Sequence, residues 1–166
     1  MTEATSVPDS PAGITSTSVV AFFAADHVVL APDAKMYVNG GFINLLRFPA
    51  FPAVLPTLGV GAAFEIPFQD MMREHSIRFG LRGPDGHELP VRVEASVRGA
   101  LSWEAQFGDP GLVPFGVTIT NVEFPAPGVY NLVLWLDNEE EKTYKIRIIQ
   151  IPGVPSVGPS SHVPGP

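Results

Sequence analysis

The sequence predicts an all-β fold, a mostly antiparallel two-layer β-sandwich of about eight or nine strands. Short apolar runs of strand length recur along the middle of the chain, separated by turn residues. No window of about twelve residues keeps an apolar stripe at helical spacing without a proline or glycine. Since no crossover helix is available to join parallel strands, neighbouring strands are expected to pair antiparallel.

The first predicted strands lie in the N-terminal third of the chain. Residues 19–25 are a continuous apolar run, which is typical of a strand covered on both faces. Residues 35–38 and 41–48 flank Asn39-Gly40, and this dipeptide favours the two positive φ angles of a tight hairpin turn. We therefore expect these two segments to pair with each other.

A second hairpin with clean alternation is predicted near the middle of the chain. Residues 77–81 and 91–97 alternate around the turn at 83–86. The apolar side chains of this hairpin fall on one face, namely Ile77, Phe79, Leu81, Val91, Val93, Ala95 and Val97. The other predicted strands are 57–68, 113–122, 129–136 and 143–151, with a single helical turn at 69–74.

Both ends of the chain differ from this apolar middle part. Residues 1–18 mix Ser, Thr, Pro and Gly without periodicity, and residues 152–166 hold five prolines and three glycines. Such compositions do not bury enough apolar surface to fold. We expect a flexible, disordered arm over 1–18, one sandwich domain over 19–151 and a disordered tail over 152–166.

Composition excludes several function classes. The net charge of −7 argues against a nucleic-acid binder, which needs clustered Lys and Arg. Neither a signal peptide nor an uninterrupted apolar stretch of membrane-spanning length is visible, so we expect a cytoplasmic protein without membrane insertion. Cysteine is absent, which removes thiolate metal sites and cysteine nucleophiles. Only 16% of residues are charged, against a usual share of about 25%, and this favours a surface covered by a partner.

Few residues could carry catalysis. The histidines are scattered along the chain at His27, His75, His87 and His162. The sequence has no nucleophile elbow and no phosphate-binding loop, so no catalytic residue and no cofactor are predicted. An enzyme centred on Asp70, Glu74 and His75 is the weakest of the functional hypotheses.

The acidic loop 137–141 is a candidate for a calcium site, and the cluster of Asp70, Glu74 and His75 is a weaker candidate for a metal or acid-base site. The loop carries Asp137, Glu139, Glu140 and Glu141. Calcium needs about six to eight converging oxygen ligands, and no second acidic loop is an obvious partner. A solvated hairpin turn is therefore favoured over a calcium site, and no metal ligand is predicted.

Basic residues gather on one predicted face of an acidic protein. Four of the ten basic residues lie on the outward side of the 77–97 hairpin, namely Arg78, Arg82, Arg92 and Arg98. Arginine suits bidentate contacts with carboxylates. A solvated sheet face is the favoured interpretation, and the alternative is that this face holds an acidic protein partner or the chain's own acidic loop.

Aromatic side chains offer two further binding candidates. The segment 48–56 combines Phe48, Phe51 and Leu55 with three prolines, a density that favours a polyproline II rail. Such a rail could cover an edge of the sandwich or dock into another subunit. Trp103 is expected to be exposed. Trp135 is expected in the core if its strand is covered on both faces, and outward otherwise.

Four segments carry a family resemblance: Asp26-His27-Val28, Lys35-Met36-Tyr37-Val38-Asn39-Gly40-Gly41, Phe48-Pro49 and Pro127-Gly128-Val129-Tyr130-Asn131-Leu132. With them, the chain resembles a family of uncharacterised small bacterial β-sandwich proteins, known as a domain of unknown function. The resemblance would span residues 19–151. It implies the sandwich fold, and because the family has no assigned activity it implies no function.

The favoured function is a non-catalytic binding or structural module that acts through protein contacts. It would self-associate as a homo-oligomer or dock to a larger assembly. The low charge, the proline-aromatic segment and the flexible arms favour this hypothesis. The alternative is a carbohydrate- or small-ligand-binding sandwich, in which Trp103 or Trp135 stacks on a ring and the loop 137–141 holds calcium.

Overall fold

A computed structural model of the chain describes residues 15–99 and 108–152. Within these ranges the chain forms ten strands and one short 3-10 helix, Phe68–Asp70. The strands are β1 (Ser18–Ala25), β2 (His27–Leu30), β3 (Met36–Asn39), β4 (Leu45–Phe48), β5 (Ala53–Ile66), β6 (His75–Arg82), β7 (Glu88–Val97), β8 (Gly111–Phe124), β9 (Gly128–Leu136) and β10 (Glu139–Gln150). The prediction of an all-β chain is confirmed.

The strands assemble into two larger sheets and one ribbon. The three-stranded sheet has the order β1-β5-β8, and the five-stranded sheet has the order β4-β10-β9-β6-β7. Strands β2 and β3 form a separate two-stranded ribbon. Among the described strands, every pair is antiparallel except β4 with β10. The predicted antiparallel sandwich is therefore confirmed, with one parallel pair added.

The core lies between the two larger sheets and follows the two-residue period of a strand. Alternate residues along β5 are fully buried, namely Leu58, Val60, Ala62, Phe64 and Ile66. Facing them, β9 contributes Tyr130, Leu132, Leu134 and Leu136. Because successive side chains of a strand point to opposite faces, each strand places one apolar row in the core.

The hairpin predicted around residues 83–86 is present as β6 and β7. Ile77 pairs with Ala95, and Phe79 pairs with Val93. The predicted apolar row packs into the core or directly against it. The face assignment is confirmed because alternation is strict on both strands and a short turn joins them.

Tyr130 fastens the turn between β8 and β9. Its ring is fully buried against Phe124, with 5.1 Å between ring centres. Its hydroxyl donates a hydrogen bond to the carbonyl oxygen of Ala126 at 2.7 Å. A tyrosine that bonds to the backbone a few residues upstream is the tyrosine corner of immunoglobulin-like sandwiches.

The hairpin predicted at Asn39-Gly40 is wrong. Strand β3 pairs with β2, a strand that the sequence did not predict, and β4 pairs in parallel with β10. Of the two turn residues only Gly40 has a positive φ, of 60°. The two consecutive positive φ angles lie instead at Asp137 (49°) and Asn138 (71°), where Leu136 pairs with Glu139 across the β9–β10 turn.

Strand β1 was expected to be covered on both faces, and this expectation is wrong for most of its length. It is an edge strand of the three-stranded sheet, and Val20 is 51% exposed. Only its C-terminal end is covered on the outer side, where Phe23 and Ala25 pack with Val28 of the ribbon. An apolar run can therefore mark a short covered stretch at one end of a strand.

The outer side of the three-stranded sheet is shaped by glycines. A Cβ atom on Gly59 would lie 2.8 Å from the backbone nitrogen of Val28, so only glycine lets the ribbon approach this closely. Gly61 leaves room in the same way for the ring of Phe23. Thr118 fixes the ribbon, because its hydroxyl oxygen accepts from the Val28 amide at 3.0 Å and donates to the Val28 carbonyl at 2.9 Å.

The boundaries of β5 and of the helical turn differ from the prediction. Strand β5 begins at Ala53, so the segment 48–56 is divided between the end of β4, a four-residue turn and the start of β5. The expected polyproline rail is therefore wrong, because main-chain pairing with β8 starts already at Ala53. The helical turn is limited to Phe68–Asp70. Most of the two predicted arms lies outside the described residues.

Candidate functional site

The outward side of the five-stranded sheet gathers charged side chains around one tryptophan. Arg78 and Arg82 lie on β6, Arg92 lies on β7, and Trp135 lies on the neighbouring strand β9. The strand order β9-β6-β7 brings these residues together. We call this surface the arginine face, defined by Arg78, Arg82, Arg92, Trp135 and the glutamates Glu88, Glu94 and Glu140.

Trp135 points outward but is covered by arginine side chains. It pairs with Arg78 across β6 and β9, and the guanidinium carbon of Arg78 lies 3.6 Å from the centre of its ring. The guanidinium of Arg82 lies at 6.0 Å. Because Gly80 has no side chain, the indole can lie across β6, and a Cβ there would be 3.1 Å from the ring. Trp135 is thus buried, at 7% exposed, but it lies on the outward side of the sheet beneath the arginines and outside the core cluster between the sheets.

Each of the three arginines is paired with a glutamate of the same chain. Arg78 bonds to Glu88 at 3.3 Å and Arg82 to Glu140 at 3.1 Å, while Arg92 bonds to Glu94. Of the two occupants expected for this face, the structure places the chain's own acidic residues there, and Glu140 comes from the loop 137–141. The arginine face is therefore balanced in charge.

A cavity of about 400 Å³ opens beside the covered tryptophan. Its lining residues are Ser76, Ile77, Arg78, Arg92, Glu94, Ala95, Trp135 and Asn138. Arg92 and Glu94 are largely exposed, so both signs of charge are available to a ligand or partner. Arg98 lies just beyond the end of β7 and is exposed. The arrangement offers positioned donors and acceptors but no activated nucleophile.

The other predicted site residues lie elsewhere. Phe48, Phe51 and Leu55 are partly buried and pack against the core. Phe48 contacts Phe51 and Phe124, with ring centres 6.0 Å and 6.1 Å apart. These three side chains are separate from the arginine face. Trp103 lies outside the described residues.

His75 belongs to a different network from the one that the sequence suggested. Its Nδ1 donates to Asp137 Oδ2 at 2.8 Å, and its Nε2 is hydrogen-bonded to the Thr17 hydroxyl, with 3.1 Å between the two atoms. Asp70 and Glu74 make no hydrogen bond with it in the described part of the chain. The order hydroxyl, imidazole, carboxylate also occurs in nucleophilic hydrolases. Here the imidazole is 2% exposed, and it joins three distant chain segments as a structural tie.

Asp137 is held as a carboxylate by this network. Burial raises the pKa of Asp137, but the hydrogen bonds from the His75 imidazole and the Ser76 amide, together with the nearby charges of His75 and Arg73, outweigh burial and hold the pKa below its ordinary value. Asp137 and Glu140 of the loop 137–141 are thus engaged with protein partners. Within residues 15–99 and 108–152, no three His, Asp or Glu side chains converge as metal ligands.

Sequence reasoning missed the central part played by Trp135 and Gly80. The alternation of β6 correctly placed the arginines on the outward side, but the pairing of β6 with β9 joins strands about 50 residues apart, and this pairing is not visible in the local pattern. Gly80, between the outward Arg78 and Arg82, was the one indication of this contact in the sequence. A glycine inside a strand often marks a place where another group packs closely against the backbone.

The described residues contain no helix of sufficient length and hydrophobicity to span a membrane. Among solved structures, the chain is similar to the Pseudomonas fluorescens alkylpurine DNA glycosylase AlkC bound to DNA containing an abasic site analog. The identity is 7%, the TM-score is 0.43, and the match covers 82% of this chain and 31% of that one.

A Listeria innocua β-glucosidase in complex with isofagomine is also similar, at 11% identity and a TM-score of 0.38, covering 67% of this chain and 15% of that one. The chain thus spans less than a third of either enzyme, and likeness at this level carries no argument about activity. No curated protein matches the sequence.

A family model matches residues 20–149, which is nearly the whole predicted sandwich domain. The resemblance to an uncharacterised domain is thereby confirmed. The chain belongs to the family of unknown function DUF6941.

Proposed function

We propose that the chain is a non-catalytic protein-binding module and that the arginine face is its contact surface. The observation that carries this proposal is the stack of Arg78 on Trp135, 3.6 Å from the ring centre, beside an open cavity of about 400 Å³. Tryptophan and arginine are the side chains most enriched at the energetic centres of protein interfaces. A stack that is already formed spares part of the entropy cost of ordering these side chains on binding.

The charge balance of the arginine face indicates the kind of partner. Every arginine of the stack already has a glutamate, so a purely acidic partner gains little there. A partner with alternating acidic and basic side chains can exchange pairs with Arg92 and Glu94, which are largely exposed on β7. Such complementarity determines orientation and register more than affinity. A second copy of the chain carries the same alternation and is one such partner.

Site-specific photo-crosslinking tests the proposal. A photoreactive amino acid at Ser96, which is exposed on the same side of β7 as Glu94, should give a discrete crosslinked species in cells of the native host. The same amino acid at Val54, which is 53% exposed on the three-stranded sheet, is the matched control. A product of twice the monomer mass would show self-association, and any other mass would show a different partner.

A charge exchange serves as the second control. The double variant Arg92→Glu with Glu94→Arg keeps the composition and net charge but inverts the pattern on the face. We expect it to abolish the crosslink from position 96 without changing the melting temperature by more than a few degrees. Equal crosslinking from positions 54 and 96, or a crosslink that survives the exchange, would contradict the proposal.

A further inference from the structure

Two adjacent cavities lie at one end of the sandwich. The first, of about 270 Å³, lies between the β6–β7 turn and the β8–β9 turn. The second, of about 420 Å³, lies between the start of β7 and the end of β8. Both are lined by Glu88, Leu89 and Pro125, which makes them neighbours. We call this surface the end groove.

Prolines make up much of the wall of the end groove, beside the side chains of His87 and Asn121. Four exposed prolines line it, namely Pro84, Pro90, Pro125 and Pro127. Proline has a fixed φ angle and no backbone N–H group. The hydroxyl proton of Tyr130, at the base of the first cavity, is already donated to Ala126. The backbone carbonyls of the wall can accept hydrogen bonds, whereas much of the wall cannot donate them.

Acidic residues supply the charge of the end groove. Asp85, Glu88 and Glu123 line it, and within the described residues neither cavity is lined by lysine or arginine. The carboxylate of Glu88 forms an ion pair with Arg78. One carboxylate oxygen of Asp85 accepts a hydrogen bond from the His87 amide. Glu123 is exposed on β8 and lines the second cavity. The groove is thus rich in acceptors and negative in charge.

We propose that the end groove binds an extended peptide segment that carries a lysine or arginine next to small apolar residues. An ammonium or guanidinium group supplies several donors and a charge complementary to Asp85 and Glu123, whereas Glu88 is already paired with Arg78. Leu89 and the prolines provide an apolar surface for the aliphatic stem of that side chain. This site adjoins the arginine face at Glu88 and does not depend on the function proposed for that face.

Backbone geometry supports a binding surface at this place. Asn121 lines the second cavity with a φ of 54°, and the pairing of β5 with β8 skips Asn121 and Pro56. A non-glycine residue at positive φ interrupts the strand and redirects its side chain. The interruption therefore lies where the end groove borders β8, between Thr120 and Val122.

A pair of capped peptides tests the proposal. The probe is acetyl-Pro-Arg-Pro-Arg-amide, and the matched probe has citrulline in place of both arginines, which keeps the shape and removes the charge. Each is titrated into the full chain and followed by amide chemical shifts. We expect shifts that cluster at Leu89, Asn121 and Glu123, and binding of the citrulline peptide that is weaker by about tenfold.

Two variants with the same change in net charge separate the groove from general attraction to an acidic protein. Glu123→Lys should weaken binding of the arginine peptide by about tenfold, and Glu139→Lys, at the opposite end of β9, by less than about twofold. Glu123→Gln serves as the milder variant if Glu123→Lys alters the thermal melt. Equal weakening by the two lysine variants, equal binding of the two peptides, or shifts outside the end groove would overturn the proposal.

Discussion

The outer faces of the two larger sheets are covered by different kinds of groups. On the three-stranded sheet, glycines allow the β2–β3 ribbon and Phe23 to pack closely, so that this side is covered by the chain's own backbone and apolar side chains. On the five-stranded sheet, arginine side chains cover Trp135, and charged groups remain exposed. The first arrangement closes a surface. The second buries a large aromatic ring while leaving the surface polar and open to a partner.

Replacing one glycine on each sheet gives the largest expected contrast. In Gly59→Ala the new methyl group meets the Val28 backbone nitrogen at 2.8 Å, so the ribbon must move, and we expect a loss of about 1–3 kcal/mol. In Gly80→Ala the methyl group meets only the edge of the Trp135 ring at 3.1 Å, and we expect a loss of less than about 1 kcal/mol. Urea unfolding measures both.

If Gly59→Ala and Gly80→Ala lowered the free energy of unfolding equally, the predicted difference between the two sheets would be wrong. The Trp135 ring would then be packed as firmly against β6 as the ribbon is against β5. A change in the urea m-value would indicate an altered unfolded or native state, so only variants with unchanged m-values are compared.

Two threonines provide the next contrast. Thr118→Val removes the hydroxyl that bonds to both backbone groups of Val28 and leaves a buried amide unsatisfied, so we expect a loss of about 1–3 kcal/mol. Thr143→Val removes an exposed bond to Glu140 of 3.3 Å, and we expect a change of less than about 0.5 kcal/mol. If Thr118→Val were also nearly neutral, hydrogen bonding would not be what fixes the ribbon.

The contrast between local and distant pairing also explains what the sequence could predict. The β6–β7 hairpin was predicted with its faces because strict alternation and a short turn lie within the 21 residues from Ile77 to Val97. Pairing of β2 with β3 was missed because the Asn39-Gly40 signal favoured a different partner. Gly40 does take a positive φ, but the Asp26 amide bonds to the Asn39 and Gly40 carbonyls and directs β3 back to β2.

The candidate sites divide in the same way. The outward arginines follow from one strand's alternation, so they were predicted. Arg78 lies over Trp135 only because of the register in which β6 pairs with β9. His75 is hydrogen-bonded to Thr17, 58 positions away in the sequence, and to Asp137, 62 positions away. Contacts of this kind depend on the assembled topology, and no local pattern specifies them.

The stack on Trp135 can be tested with two arginines that lie at different distances from the ring and are each paired with a glutamate. In a Trp103→Phe background, Arg78→Ala should shift the tryptophan emission to longer wavelength and cost about 0.5–1 kcal/mol, because the ring loses both its cover and its cation. Arg82→Ala, which removes a guanidinium 6.0 Å from the ring centre, should have the smaller effect on both measurements. Identical emission spectra for the two variants would show that Arg78 does not shield the Trp135 ring from solvent more than Arg82 does.

The smallest expected effect concerns pH and compares one carboxylate of each region. Asp137 lies at the β9–β10 turn of the five-stranded sheet, and its pKa is held below the ordinary value, because the bonds and charges of the His75 network outweigh burial. Asp33 lies beside the ribbon, and its hydrogen bond to Lys35 also lowers its pKa, but this pair is fully solvated. A carboxylate whose pKa is lower in the folded state stabilises the fold above its unfolded pKa of about 3.9, and this contribution is lost as the pH falls through the folded pKa.

Asp137→Asn should therefore lower the melting temperature at pH 6 and flatten its decrease towards pH 3. Asp33→Asn should produce a smaller change that disappears in about 1 M salt, because an exposed pair is screened and a partly buried network is screened much less. Melting curves of the two variants and the wild type between pH 6 and pH 3, at low and high salt, measure this difference. If the effect of Asp137→Asn also disappeared in high salt, the bond between His75 and Asp137 would behave as an exposed ion pair. The hydrogen-bond network of Thr17, His75 and Asp137 would then not be what holds these three segments together.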